Sequence, residues 1–367
     1  MNSLGFNKDC KDTRVVVAMS GGVDSSVAAV MLKKEGYDVT GITMNLYNQT
    51  ESHSSKSCCA GKDIADAKKV AEQHNFKHIT LDYQDKFFDG VIDNFLTTYA
   101  EGKTPVPCIK CNQTVKFRDL LGEAKKMKAD TLVTGHYVRR LVKKQDAKLY
   151  KAKDKTKDQS YFLFATLKHQ LEYVRFPLGN YLKLEIREMA KKYNLLVSDK
   201  PDSQDICFVN SNSYRDFLSK LKPDINVEGS FVDHNGKIIG RHKGIVNYTI
   251  GQRKGLGISG NATPLYVVNI DKVKNEILLG PQNFLKKTVV TLKKINWLDE
   301  SIPKINLKCS AKIRSTQKEN PGTLNINTKK SEFIFDEEIN TTSPGQACVF
   351  YLKDQVLGGG WITNTRD

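Results

Sequence analysis

The segment Val15-Val16-Val17-Ala18-Met19 and the turn after it constrain this chain more than any other stretch. A short unbroken apolar run bounded by a glycine turn reads as a strand buried on both faces, as in a parallel sheet. It runs into Ser20-Gly21-Gly22-Val23-Asp24-Ser25-Ser26 and a helical stretch to about Glu35, which Gly36 stops. The order then repeats. Val39–Met44 predicts a second strand, and Asp63–His74 a helix with Ile64, Ala67 and Ala71 at helical spacing. His78–Leu81 follows as a strand, Phe87–Ala100 as a helix, Thr131–Thr134 as a strand and Glu185–Tyr193 as a further helix. Alternating β and α elements imply an α/β unit whose parallel sheet is covered on both faces.

After about Val209 the pattern changes. Glycines crowd between Gly229 and Gly260, and the helical spacing ends. From about Leu285, short β-rich pieces (Thr288–Leu292, Lys308–Arg314, Ser331–Phe335, Ala347–Leu352) alternate with turn residues, as in a small antiparallel barrel or sandwich. A chain of 367 residues exceeds what one core organises. Three domains are expected: a catalytic α/β domain over 1–209, a small β-rich central domain over 210–284 and a C-terminal antiparallel β-barrel over 285–367.

The chain carries 57 Lys+Arg against 41 Asp+Glu, a formal charge of +16. Such an excess suits a polyanion, because basic side chains release counterions from a phosphate backbone. It also suits a compositional drift toward Lys, since 46 of the 57 basic residues are Lys. Location favours the polyanion: residues 110–158 hold 15 Lys/Arg and 6 Asp/Glu, a net of +9. The opening residues, Met1 to Arg14, lack the apolar core of a signal peptide. No apolar run approaches the roughly 20 residues of a membrane span, so a cytoplasmic protein is expected. The eight cysteines (10, 58, 59, 108, 111, 207, 309 and 348) are too few and scattered for a disulfide scaffold.

The turn itself carries chemistry. Gly21 and Gly22 let the backbone approach an anion, and the following helix offers free N–H groups and the positive end of its dipole. Ser20, Ser25 and Ser26 add hydroxyl donors. Gly-Lys-Ser/Thr is absent, so this is not a Walker A loop. The residues resemble the Ser-Gly-Gly-x-Asp-Ser loop of the ATP pyrophosphatases, which cleave ATP between the α and β phosphates and transfer AMP to a carbonyl-type oxygen. That loop leaves the acceptor open.

Cys108-Ile109-Lys110-Cys111 follows Thr104-Pro105-Val106-Pro107, and Cys207 lies 96 residues beyond Cys111. A lone C-x-x-C is compatible with half a zinc site, a redox pair or two packed cysteines. Cys58-Cys59 is poorly spaced as a second zinc pair, and a thioredoxin-like pair should open a helix after a strand rather than follow two prolines. Taken in order, the chain's landmarks resemble one family, the tRNA-specific 2-thiouridylases. They are Ala18 to Ser26, Thr104 to Asn112, Gly135-His136-Tyr137, Lys157 to Tyr161, Ser203 to Phe208, Tyr248 to Gly257, Lys312-Ile313-Arg314 and Ser343-Pro344-Gly345-Gln346.

The resemblance implies an adenine nucleotide hydrolase-like catalytic domain that uses ATP and Mg²⁺ to adenylate the 2-oxygen of a wobble uridine. A persulfide then replaces that oxygen. By resemblance Cys207 carries the persulfide and Cys111 frees its terminal sulfur, leaving a Cys111–Cys207 disulfide. Either thiol should have a lowered pKa, which nearby Lys residues would supply. Ala18, Met19, Ser20, Gly21, Gly22, Val23, Asp24, Ser25, Met44 and Gly135 should border ATP. Val106, Pro107 and Cys108 should border the target base. His136, Lys157, Asp158, Gln159, Arg314, Ser315 and Gln346 should contact tRNA, and Tyr248–Gly257 should lie in a middle domain against its stem. Many members have Asp where Cys108 stands. With Cys108, Cys111 and Cys207 the site has three potential ligands for an iron–sulfur cluster, an alternative to the persulfide route. The expected partners are tRNA (lysine, glutamine and glutamate tRNAs in the family) and a sulfur-donor protein or relay. A small-molecule ATP pyrophosphatase would leave the basic excess and the cysteines without a role. A non-catalytic RNA-binding protein would leave the intact loop without one.

Overall fold

The computed structural model describes residues 1–47, 61–143, 146–202, 206–209, 214–258, 263–300, 306–327 and 330–367. Cys58, Cys59 and Ser203 to Asp205 lie outside the described residues. The chain forms two compact units: Met1–Val91 with Cys108–Ser211 and Asp354–Leu357, and Ile92–Pro107 with Asn212–Lys353 and Gly358–Asp367.

The first unit is built on a five-stranded sheet with the order β3-β2-β1-β4-β7. These strands are β1 (Arg14–Ala18), β2 (Asp38–Asn45), β3 (Lys77–Asp82), β4 (Thr131–Thr134) and β7 (Val174–Arg175). Every pairing is parallel, with Val16 opposite Thr40 on one side and Leu132 on the other. β1 is central, which is why Val15, Val16 and Val17 are at most 1% exposed. Helix α1 (Val23–Lys34) is buried over nearly its whole surface, and α8 (Lys183–Lys192) packs against it. A helix apolar all round needs cover on all sides. Helix α2 (Gly61–Gln73) is amphipathic and packs on β2 and β3 through Ala67, Val70 and Ala71.

Two features depart from the expected pattern. The helix read over Phe87–Ala100 is three pieces: α3 (Gln84–Phe87), a π-helical turn Phe88–Ile92 and α4 (Asp93–Ala100). The basic stretch folds as helix and hairpin. Helix α5 (Pro107–Cys111) continues through a π-helical Asn112–Leu120 into α6 (Leu121–Lys126). After β4, β5 (Val138–Lys143) and β6 (Asp146–Lys151) pair antiparallel. Between β6 and α8, α7 (Lys168–Tyr173) leads into β7.

In the second unit, α4 packs beside α9 (Tyr214–Leu221). Tyr99 stacks on Tyr214 at 5.0 Å, and Phe95 meets Phe217 edge-on at 6.3 Å. A four-stranded sheet, β10-β11-β8-β9, comprises β8 (Gly229–Val232), β9 (Ile238–His242), β10 (Tyr266–Asp271) and β11 (Glu276–Gly280). The tail closes into a six-stranded barrel, β12-β15-β14-β13-β16-β17, because β12 also pairs with β17. Its strands are β12 (Lys286–Trp297), β13 (Leu307–Lys312), β14 (Asn320–Ile326), β15 (Ser331–Asn340), β16 (Ala347–Leu352) and β17 (Gln355–Arg366). The first residues of β17, Gln355 and Val356, belong to the first unit and pair with β6.

Closure leaves the barrel no open edge. Its centre is aromatic: Phe350 stacks on Phe333 at 6.0 Å and lies 6.0 Å from Trp297. Phe350→Ala is expected to cost about 3–5 kcal/mol. Both tryptophans, Trp297 and Trp361, lie on barrel strands, so a denaturant titration followed by their fluorescence should report a clearly lower midpoint.

Candidate active site

The turn after β1 is set by sterics. Gly21 has φ +71°, and a Cβ there would lie 2.3 Å from the Asp63 carbonyl oxygen in the first turn of α2. Only glycine fits. A Cβ on Gly135, just after β4, would stand 3.0 Å from the Ser25 amide nitrogen, so that strand end presses on the start of α1. The Ser20 amide donates to Ser25 Oγ at 3.1 Å, and the two hydroxyls are 3.3 Å apart. The structure thus brings Ala18 to Ser25 and Gly135 together at the carboxyl ends of neighbouring parallel strands. Met44, half-buried, lies at the same end of β2. Ser26 does not join this donor set, because it is fully buried.

Charged groups absent from the sequence reading organise the turn. Lys183 donates to both Asp24 oxygens at 2.7 and 2.8 Å and to Asp202 Oδ1 at 2.9 Å. Lys200 donates to the Gly21 carbonyl at 3.0 Å, to Asp66 at 2.9 Å and to Asp63. Arg187 reaches Asp202 at 2.9 Å, and Lys157 reaches the other Asp202 oxygen at 2.8 Å. Burial alone would raise the Asp202 carboxyl, but hydrogen bonds from Lys157 and Lys183 outweigh it and hold it at about 2. The sequence signal was weak: a lone Lys opening an amphipathic helix has the look of a solvated charge.

The thiols occupy the same unit. Pro107 opens α5, where its missing N–H costs nothing, so the C-x-x-C does begin a helix, though it follows a loop and not a strand. Positions three apart share a helix face, which places Cys108 and Cys111 on one side. Cys111 is buried and Cys108 exposed. Cys207 is held through its carbonyl, which accepts from Tyr47 Oη at 2.8 Å. The neighbouring Phe208 packs edge-on against Phe87 at 5.6 Å. All three cysteines are free thiols.

Burial pushes the Cys111 thiol up. Cys207 rises to about 12 through burial first and then its proximity to Cys111 and Cys108. Lys116 opposes each rise without reversing it. The expectation of lowered thiol pKa values is therefore overturned: desolvation of a thiolate exceeds the attraction of one lysine. Among the described residues, no three or more His, Cys, Asp or Glu side chains are grouped to hold a metal ion.

The residues expected at tRNA are mostly occupied. His136 is 2.8 Å from Thr134 Oγ1 through Nδ1 and edge-on to Phe117 and Phe176. Burial and then Lys116 hold it well below the usual histidine pKa, so it is neutral near pH 7. Asp158 accepts from the Ala152 and Ser160 amides and the Ser160 hydroxyl. Gln159 Oε1 accepts from the Tyr137 amide at 2.9 Å. The basic stretch is also less free than its count implies: Arg118, Lys126, Arg139, Lys153, Lys155 and Lys157 all have carboxylate partners.

In the second unit, Gln346 donates to the Thr104 carbonyl at 3.1 Å, and the Thr104 amide donates to the Pro344 carbonyl at 2.9 Å. The barrel turn thus holds the chain just ahead of half-buried Val106 and buried Pro107. Arg314 donates to the Thr341 carbonyl at 2.8 Å, and Ser315 beside it is half-buried.

Three family models match in succession. They are described as a tRNA methyl transferase HUP domain (residues 13–211), a tRNA methyl transferase PRC-barrel domain (215–281) and an aminomethyltransferase beta-barrel domain (287–362). The tRNA-specific 2-thiouridylase MnmA of Paracoccus denitrificans is 48% identical over 371 residues, 100% of this chain and 95% of that protein. The chain belongs to the tRNA-specific 2-thiouridylase family. The family protein of Wolbachia sp. subsp. Drosophila simulans is 50% identical over 95% of this chain and 94% of its own length. That of Ehrlichia ruminantium (strain Gardel) is 49% identical over 97% and 96%. The resemblance drawn from motifs is thereby borne out, as is the fold class: parallel α/β sheet, PRC-barrel middle and closed antiparallel tail.

As a 2-thiouridylase-family chain with protonated thiols, the free protein should be slow to alkylate. The iodoacetamide reaction at Cys207, followed by peptide mass spectrometry, should accelerate about tenfold per pH unit from pH 7 to 10, tracking the thiolate fraction. A plateau near pH 8 would contradict the burial account.

Proposed function

We propose that this protein is an enzyme, a tRNA-uridine 2-sulfurtransferase that thiolates the wobble uridine of tRNA at the expense of ATP. The observation that carries this reading is one structural unit holding both a glycine turn at the end of a central parallel strand and three free thiols, Cys108, Cys111 and Cys207.

Oxide is a poor leaving group, so the uracil 2-oxygen must be activated. In the reading proposed here, that oxygen attacks the α-phosphorus of ATP, and pyrophosphate departs from the turn at Gly21–Ser25. Ala18 to Ser25, Met44 and Gly135 line the nucleotide, and Mg²⁺ would offset the polyphosphate charge. A persulfide on Cys207 then attacks C2. Cys111 attacks the inner sulfur of that adduct, giving a Cys111–Cys207 disulfide, while AMP leaves and the 2-thiouridine is released. A reductant restores both thiols. A persulfide ionises more readily than its parent thiol, so the high thiol pKa of Cys207 does not bar it as carrier.

Val106, Pro107 and Cys108 would border the base, and His136, Lys157, Asp158, Gln159, Arg314, Ser315 and Gln346 the RNA. Lysine, glutamine and glutamate tRNAs are the proposed substrates, with a sulfur-donor protein or relay upstream. The domain division at 1–209, 210–284 and 285–367 is supported by the three successive family matches. Methyl transfer, which two of those descriptions name, gives no use for an ATP turn or paired thiols. The iron–sulfur route receives no support from the metal-site geometry of the described cysteines.

The test supplies tRNA, ATP, Mg²⁺ and a persulfide donor, and measures AMP release together with 2-thiouridine in digested tRNA. Cys207→Ser and Cys111→Ser should each lower thiolation by about a hundredfold or more, as loss of a nucleophile does. Pyrophosphate release should persist in Cys207→Ser, because adenylation precedes sulfur transfer, whereas AMP release should fall with thiolation. Full thiolation by either variant would overturn the sulfur route, and stoichiometric iron in active, anaerobically purified protein would favour the cluster.

A further inference from the structure

Lys183 begins α8 and has no place in the reaction as written. Its side chain is 9% exposed, yet its ammonium stands at the nucleotide turn. A buried cation is costly unless its protons are all used. Here they meet two carboxylates: Asp24 at 2.7 and 2.8 Å and Asp202 at 2.9 Å. Tyr137 completes the arrangement, with Oη donating to Asp24 Oδ1 at 2.7 Å and its ring centre 5.6 Å from the ammonium. The Lys183 amide is fixed in turn by Asp154 Oδ2 at 3.0 Å.

The arrangement answers an electrostatic conflict. Asp24 lies in the first turn of α1, where a carboxylate suits the helix dipole. The same N-terminus is where a polyphosphate must approach, and an unopposed carboxylate would repel it. Lys183 cancels that charge at contact distance, and Lys183 and Tyr137 together leave Asp24 Oδ1 one orientation. Asp202, shared with Lys157 and Arg187, keeps the ammonium from swinging away.

The geometry points to Lys183 as a positioning residue of the nucleotide site, one that neutralises and aims Asp24 so that the turn can accept a nucleoside triphosphate. This rests on the proposal that ATP occupies Gly21–Ser25. A merely structural ion pair would make different demands: its loss would weaken every substrate alike.

The experiment compares wild type with Lys183→Met, Lys183→Arg and Tyr137→Phe, measuring KM for ATP and for tRNA in the thiolation assay and ATP binding by equilibrium dialysis. Lys183→Met should raise KM for ATP by about tenfold or more, with KM for tRNA within about twofold, as expected for lost charge-assisted contacts. Lys183→Arg should recover most of the loss. Tyr137→Phe, which removes one hydroxyl, should move KM for ATP the same way by about threefold. An unchanged KM for ATP in folded Lys183→Met, or equal rises for ATP and tRNA, would overturn the assignment. If Lys183→Met does not fold, Tyr137→Phe decides, and no change there overturns it. Wild type that binds ATP but thiolates nothing would instead refute the proposed reaction, leaving dialysis to judge Lys183.

Discussion

The end of the first unit where the central strand meets α1 depends on a turn that leaves no room for a side chain. Gly21 lies under the Asp63 carbonyl, with Lys200 joining the Gly21 carbonyl to Asp63 and Asp66. The central strand β1 delivers the chain to this point, and α1 carries it away, its first amides outside the helix's own hydrogen-bond ladder. Because β1 has neighbours on both sides and is buried on both faces, the turn cannot drift without disturbing the sheet. Rigidity here is a property of the packing around the turn as much as of the glycine within it.

Charge in this molecule is arranged rather than merely abundant. The basic stretch that stands out in the sequence is laced with carboxylates, several from distant positions such as Asp202, Glu185 and Asp354. The thiols show the opposite imbalance, with more desolvation than positive charge to offset it. Keeping these cysteines protonated protects them from adventitious oxidation, since the thiolate is the reactive form.

Much of the frame was legible beforehand because local patterns encode it. The strands around Val15–Met19, Val39–Met44 and Thr131–Thr134 follow from apolar runs, and the strand at Ala347–Leu352 matches its expected limits. The hairpin β5–β6 was not legible, because its charged, partly exposed residues lack a clean alternation. Helix α9 and the helical run after Pro107 were likewise missed. Lys183, Lys200 and Asp202 escaped notice for a different reason. Their partners lie up to 179 residues away, and an ion pair leaves no periodic trace in either segment. The turn between strand and helix was legible from its glycines, but the cations around it had to be seen.

Finally, the segment Ile92–Pro107 belongs to the second unit although it is flanked on both sides by the first. Helix α4 gives Phe95 and Tyr99 to the aromatic contacts with Phe217 and Tyr214, and Thr104 closes on the barrel turn at Pro344. The units are therefore threaded through one another along the polypeptide. A fragment ending near residue 209 would strand an apolar helix in water, and a gene fission at that point would yield two halves that each lack part of a core. Any natural or engineered rearrangement of this chain has to carry that segment with the tail that covers it.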